Sequence, residues 1–344
     1  MKKIFFLIVI ASVFTACKKN ENAIVDDGSL SSDNIIAITN LDKSENNTSE
    51  TIKSVFNVLG YGYDVTGEFA APSASRVRII DLEKLKAEHP DFVQLARTSQ
   101  GSGIVMPAQN CEALSKMLSR KLNHTDGMRQ FRGSITAFFP EAGSLSKKFI
   151  YGSHHQELIF RRVYFLNNAT TLQNYLLPEF ESDVENSSAK ELVIKYGTHL
   201  LSNIMLGAKL KVLYQAETRN LDRRIAVEKG LTVASRKLFV LNTGLFDYED
   251  DTIAIGNYSQ KIRFKTIGGN PQALTEIINP YTNTKVLEVG KWAQSCNKEN
   301  ADFINIGENG ITPLYFYIKD AQKKEAVKKY IDNYLHEREV IMAN

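Results

Sequence analysis

The sequence predicts an α+β fold, on three observations. Runs with strand-like alternation recur along the chain, segments with helical periodicity and caps lie between them, and the two kinds do not alternate regularly. Regular alternation would instead point to a doubly wound parallel sheet. The length of 344 residues permits one large domain or two small ones and is ample for a buried core. No second-domain linker or internal repeat is visible after residue 50.

Taken in order, Met1-Lys2-Lys3 precedes an apolar run from Ile4 to Phe14, broken by Ser12, and then Thr15-Ala16-Cys17. Basic residues, a short apolar core and small residues before a cut site make residues 1–16 a secretory signal. The run is shorter than the ~20 residues of a spanning helix. Phe14-Thr15-Ala16-Cys17 resembles a bacterial lipobox, with Phe in place of the usual Leu, so Cys17 is the expected site of lipidation. The expected location is therefore export as an outer-membrane lipoprotein, a secreted protein or both, from a Gram-negative bacterium. Residues 17–52 are rich in Asn, Asp, Ser and Thr and read as an acylated N-terminus with a flexible tether. Residues 53–344 form the folded body.

Within that body, Arg76–Ile80, Phe149–Tyr151, Leu158–Phe165, Lys209–Tyr214 and Lys261–Lys265 read as strands. The last two alternate charged and apolar residues, as half-buried strands do. Ser188-Ala189-Lys190-Glu191 is a capping box opening a helix that Gly197 stops. Val327, Tyr330, Ile331, Tyr334 and Leu335 mark one face of a C-terminal helix with Asp320 as its cap.

Composition excludes several classes. Forty-two basic against 39 acidic residues give +3, too little to argue for nucleic acid, and removal of the signal takes Lys2 and Lys3 with it. Three Cys do not make a disulfide scaffold. Cys111 and Cys296 are either two isolated thiols or one disulfide. No CxxC, HExxH, GxGxxG or GxSxG occurs, so no enzyme, metal or cofactor is expected. His199 has no catalytic partner nearby in sequence and reads as structural. His154, His155 and Glu157 do not converge in a strand, because residue 154 points away from the other two.

Tyr196-Gly197-Thr198-His199, followed by a strand and Gly207, resembles the signature of the membrane attack complex/perforin (MACPF) family. Three further pieces follow the family's order. They are Leu59-Gly60-Tyr61-Gly62-Tyr63-Asp64-Val65-Thr66, Thr266-Ile267-Gly268-Gly269-Asn270-Pro271, and Trp292 with Ile311-Thr312-Pro313-Leu314-Tyr315. The chain departs from the family where Ala208 replaces a second Gly and Leu200 an aromatic residue. The resemblance covers about residues 55–335, making 53–344 a MACPF domain with a C-terminal helix. It implies a bent, twisted four-stranded antiparallel sheet, of the kind shared with cholesterol-dependent cytolysins, flanked by two helical clusters. By position these fall near 113–147 and 217–258, and in pore-forming members such clusters extend into membrane-spanning hairpins. Gly207, Gly268 and Gly269 match the sheet bend and read as a hinge, although Gly268-Gly269 also fits a simple tight turn. A β-branched residue at 207 is expected to hold the bend without disturbing folding.

A barrel strand needs ~9–11 residues with one face to lipid. Phe131, Ile135 and Phe139 share one parity in the first segment and also fit a helix face. In the second, Ile225, Val227, Leu231, Val233, Phe239 and Leu241 share a parity that Lys229 and Lys237 interrupt. These apolar residues are the candidate membrane-inserting set. The leading expectation is a homo-oligomeric, antibacterial or host-directed pore-former whose partner is a target-membrane lipid or surface receptor. The alternative is a non-lytic surface lipoprotein using the same fold for adhesion or protein binding.

Overall fold

The computed structural model describes residues 36–43, 56–120, 122, 124–166, 168–239, 256–278 and 285–344. The signal, Cys17 and Leu241 lie outside the described residues. The strands are β1 (Ala37–Asn40), β2 (Tyr61–Tyr63), β3 (Ser75–Arg78), β4 (Val93–Ala108), β5 (Phe149–Phe165) and β6 (His199–Leu201), followed by β7 (Asn203–Thr218), β8 (Asn257–Ile267), β9 (Thr275–Ile278), β10 (Lys285–Glu288), β11 (Asp302–Ile306) and β12 (Ile311–Pro313). The helices are α1 (Leu82–Glu88), α2 (Cys111–Ser119), α3 (Gly133–Thr136), α4 (Ala169–Leu172), α5 (Pro178–Asn186), α6 (Ala189–Tyr196), α7 (Arg223–Phe239), α8 (Val289–Ser295) and α9 (Ala321–Glu337).

Four long strands, β4, β5, β7 and β8, pair antiparallel in the order β8-β7-β5-β4. This is the expected core sheet. A short second sheet, β12-β6-β2-β3, sits at its base. The main sheet is irregular along one line. β4 and β5 shift register between Arg97 and Gln100, and β5 and β7 shift between Ile159 and Arg161. At the same level β7 exchanges partners. It pairs with β8 from Lys209 onward and with β11 up to Gly207. Bulges bend the strand that carries them, so aligned bulges and a partner exchange place the bend here.

Three sequence expectations change. Phe149–Tyr151 and Leu158–Phe165 are one strand, joined through the buried polar residues His154, His155 and Glu157. β4 had no strand signal, since Thr98-Ser99-Gln100-Gly101-Ser102-Gly103 interrupts its pattern. It tolerates these residues and Pro107 as an outer strand, where a missing N–H costs no ladder bond. Within the expected tether, Ala37–Asn40 instead pairs parallel with Lys261–Phe264 of β8. Asp42 then accepts the Thr266 N–H on its carboxylate (3.0 and 3.1 Å) and the Thr266 hydroxyl (2.8 Å).

The predicted capping box is present at Ser188 and Glu191 of α6, with Gly197 ending the helix at φ +78°. Asp320 caps α9, whose Val327, Ile331 and Leu335 are buried.

Candidate functional site

The four sequence motifs meet in space. Gly62 and Gly197 bring two backbones together. A Cβ on Gly62 would lie 2.7 Å from the Tyr196 carbonyl carbon, and one on Gly197 would lie 2.6 Å from that of Tyr63. Thr198 ties the same two stretches together, its Oγ1 accepting from the Val65 N–H and donating to the Tyr63 carbonyl, both at 3.2 Å. Tyr196 donates to Asp183 at 2.6 Å. His199 is buried with Nδ1 2.9 Å from Thr198 Oγ1, and burial pushes its pKa down to about 3. It stays neutral and structural at neutral pH. Its strand partner is Pro313 of the fourth motif.

The remaining motif glycines lie on the bend. A Cβ at Gly207 would stand 2.9 Å from the Leu158 carbonyl carbon, nearer still to its oxygen, and 3.0 Å from Ile304 Cδ1. Gly207 is therefore a point of backbone contact between β5 and β7. The expectation that a β-branched residue here would leave folding intact is corrected. Gly268 (φ +67°) leads the chain off the end of β8, and its Cβ would be 2.5 Å from the Gly207 carbonyl oxygen. Gly269 lies against Trp292 and Cys296. The Gly268-Gly269 pair, at φ +67° and +70°, thus turns the chain away from β8 beside the bend.

Each expected helical cluster stands where a hairpin turn would be. β4 and β5 are joined by residues 109–148, and β7 and β8 by residues 219–256. Strand pairing runs up to these junctions, ending at Ala108 with Tyr151 and at Thr218 with Asn257. Their described parts cover opposite faces of the sheet. α7 packs Val227, Leu231, Ala234 and Phe239 on Ile150, Leu210, Val212, Tyr214, Ile262 and Phe264. Ile225 and Val233 are half-buried at its margins. Phe131, Ile135, Phe138 and Phe139 are fully buried against the other face.

That other face is charged, which the sequence pattern did not suggest. The charged parity of β7 was expected to face solvent, yet Lys209 and Lys211 are 1% and 2% exposed. Both faces are covered, so alternation marks two kinds of buried surface instead of inside and outside. Glu68 bridges Lys211 (2.8 Å) and Lys265 (2.6 Å). Burial alone would raise the Glu68 pKa, but the two ammonium groups outweigh it and hold it below the usual carboxylate range. Burial pushes Lys211 down to about 8 against the pull of Glu68. Glu157 pairs with Lys209 at 3.2 Å and accepts from Asn305 at 3.0 Å. His155 lies on this face, 2.7 Å from Ser153, and burial keeps it neutral. His154 lies on the α7 face, 3.4 Å from Ser235, and burial lowers its pKa to about 4.

Cys111 and Cys296 are both free thiols. Among the described residues no helix is long and apolar enough to cross a membrane.

A bent antiparallel sheet carrying two long helical inserts in place of its hairpin turns, locked by interleaved glycines, defines the perforin-like class. The chain belongs to the MACPF family: the MAC/Perforin domain model matches residues 49–341. Among solved structures it is similar to a candidate cell-invasion protein with a MAC/Perforin domain from Bacteroides thetaiotaomicron, with TM-score 0.66 and 16% identity over 83% of this chain and 61% of that one. It is also similar to GNIP1Aa from Chromobacterium piscinae, with TM-score 0.63 and 15% identity over 83% of this chain and 57% of that one. At these identities the likeness is one of fold, and the chain spans about three fifths of the length of each. A search of curated protein sequences finds no match.

Proposed function

We propose that this protein assembles with copies of itself on a target membrane and opens a pore, releasing residues 109–148 and 219–256 as two β-hairpins. One observation carries the reading. When the register of β5 and β7 is continued into the segments beside them, Phe131, Ile135, Phe139, Ile225, Val227, Leu231 and Val233 fall on the same face, whereas Phe239 and Leu241 lie past the midpoint of 219–256, where the register of β8, shifted so that Glu217 pairs with Tyr258, turns odd residues to the other face. The two strands pair odd residue with odd residue, as in Tyr151 with Gln215 and His155 with Lys211. These seven apolar positions are all odd, so a straightened sheet would present them together to lipid. Each segment has chain enough for two strands of the ~9–11 residues a bilayer requires. Barrel closure would satisfy the backbone groups that a lone hairpin leaves open in lipid, so insertion depends on assembly.

A second reading, a non-lytic surface lipoprotein that binds a protein or glycan, is favoured by a different observation. Continuing β4 in register from Ala108 places Glu112, Lys116 and Arg120 on the same face, beside Lys229 and Lys237. A Lys or Arg facing lipid at the midplane costs ~2–4 kcal/mol, and less toward the interfaces.

Liposome leakage with electron microscopy separates the two. Pore formation gives leakage steep in protein concentration together with rings. Intact liposomes at every concentration refute it and leave the binding role. We also assign Cys17 as the lipidated residue and the outer membrane or its exterior as the location. Labelling with a fatty-acid probe that is lost in Cys17→Ser tests this. Bacterial or host cells are the targets of this proposal, and no enzymatic step belongs to it.

A further inference from the structure

We infer that the first segment is held to the sheet by a charge clasp centred on Glu68, which sets how readily that segment opens, independently of α7. This rests on the pore reading above and adds what governs release of the first segment. The loop at residues 64–69 is bound to the first segment and, on its other side, to the small sheet, where Tyr63 Oη donates to the Glu68 carbonyl (2.9 Å). The Phe131 N–H donates to the Val65 carbonyl (2.7 Å), the Gly133 N–H to Thr66 (3.0 Å) and the Phe69 N–H to Ser134 Oγ (2.8 Å). The Phe69 and Phe131 rings meet edge to face, 5.1 Å apart.

The loop and the segment reach the charged face of the sheet through ions as well as through the apolar packing of Phe131, Ile135 and Phe139. Glu68 takes one lysine on each carboxylate oxygen, Lys211 from β7 and Lys265 from β8. Phe138 lays its ring 4.9 Å from the Lys211 ammonium and 5.5 Å from that of Lys265. Arg263 donates to the Phe138 carbonyl at 2.6 Å and pairs with Glu141.

The opposite interface has another character. α7 buries Val227, Leu231, Ala234 and Phe239 on apolar strand residues, with the Phe239 and Phe264 rings 5.3 Å apart. Lifting α7 exposes apolar surface to water, at roughly 25 cal/mol per Å². Lifting the first segment also exposes its phenylalanines, but it returns Glu68, Lys211 and Lys265 to water and recovers their desolvation cost. Breaking the clasp by removing one partner leaves the other charges buried and uncompensated.

The test is native-state hydrogen exchange on the full chain without membranes, so it reads the clasp whether or not pores form. Leakage by the unaltered chain tests the pore reading separately. Glu68→Gln is expected to speed exchange at residues 131–139 at least tenfold while residues 226–239 stay within twofold. The triple variant Glu68→Met, Lys211→Met, Lys265→Met replaces the ions with apolar contacts and so removes the gain from rehydration. It is expected to slow exchange at 131–139 at least tenfold below the unaltered chain, and it carries the test should Glu68→Gln not fold. Equal acceleration of both segments in Glu68→Gln, or a triple variant whose residues 131–139 exchange no more slowly than in the unaltered chain, overturns the inference.

Discussion

Replacing Gly207 by Ala tests whether the bend is a backbone contact. Its Cβ would stand 2.9 Å from the Leu158 carbonyl carbon and 3.0 Å from Ile304 Cδ1, where ordinary contact begins near 3.4 Å. The obstruction from Leu158 is backbone, so β5 and β7 must separate locally. Overpacking of this kind costs ~1–3 kcal/mol. A buried ladder group that loses its partner costs a further ~1–3 kcal/mol. The sum is about 4 kcal/mol, and at ~2–4 °C per kcal/mol the thermal midpoint should fall by about 10 °C. Gly101→Ala is the internal control. It lies in β4, beside the same Leu158, but its Cβ would meet Leu158 Cδ2 at 3.8 Å and the Glu157 carbonyl oxygen at 4.0 Å, both ordinary contacts. Its midpoint should stay within about 2 °C, since the change costs a few tenths of a kcal/mol. Circular dichroism melts of the two variants suffice. A Gly207→Ala midpoint within about 2 °C of the unaltered protein would refute close backbone packing at the bend.

Three further outcomes are expected. A Cβ on Gly152 of β5 would be 3.0 Å from Leu231 Cβ, so Gly152→Cys with Leu231→Cys should form a disulfide after slight relaxation and pin α7. Leakage should drop at least tenfold when this variant is oxidised and return on reduction. Lys229→Leu removes a charge from the proposed lipid face, worth ~2–4 kcal/mol at the midplane, and should lower the protein concentration for half-maximal leakage. His154 is held neutral in the fold, with its pKa lowered from 6.5 to about 4, whereas the unfolded chain takes up a proton below its ordinary value. Stability therefore falls with acid between pH 6.5 and 4, by about 3 kcal/mol from this group at the lower end. The urea midpoint of His154→Gln should fall less steeply across that window.

How much of this was legible in sequence follows the physical kind of each signal. The motifs at 59–66, 196–199, 266–271 and 311–315 were readable because glycines and turn residues fix the backbone locally; the first, second and fourth prove to be neighbours, while 266–271 meets Gly207 at the bend. The capping box at Ser188 was readable for the same reason. The strand at Val93–Ala108 was not, because an outer strand need bury little and Gly101, Ser102, Gly103 and Pro107 break its alternation. The docking of Ala37–Asn40 was hidden because its ladder with β8 uses backbone groups and leaves mainly exposed side chains. The buried charges were missed for a deeper reason. Lys209 and Lys211 alternate with Ala208, Leu210 and Val212 as in a strand with one wet face. Only tertiary structure shows that Glu68, 143 residues away from Lys211 in sequence, supplies the counter-charge.

The bend and the two covers together bear on how a folded chain can hold such a rearrangement in reserve. Along the bend, the close contacts of Gly207 with Leu158 and of Gly268 with Gly207 are backbone to backbone. Straightening there would move peptide planes past one another and disturb the small apolar cluster of Ile159, Ile267 and Ile304. The covers add to the cost of the change, and the two covers differ. The apolar contacts of α7 resist exposure in water and are relieved only where lipid or a neighbouring subunit replaces the sheet. The Glu68, Lys211 and Lys265 contacts resist the loss of one partner but not their joint return to solvent. On the pore reading, the ionic part of the first cover would thus resist opening in water less than the apolar packing on either face. The apolar packing of both covers would open only where lipid or a neighbouring subunit takes its place, which would tie completion of the change to the membrane.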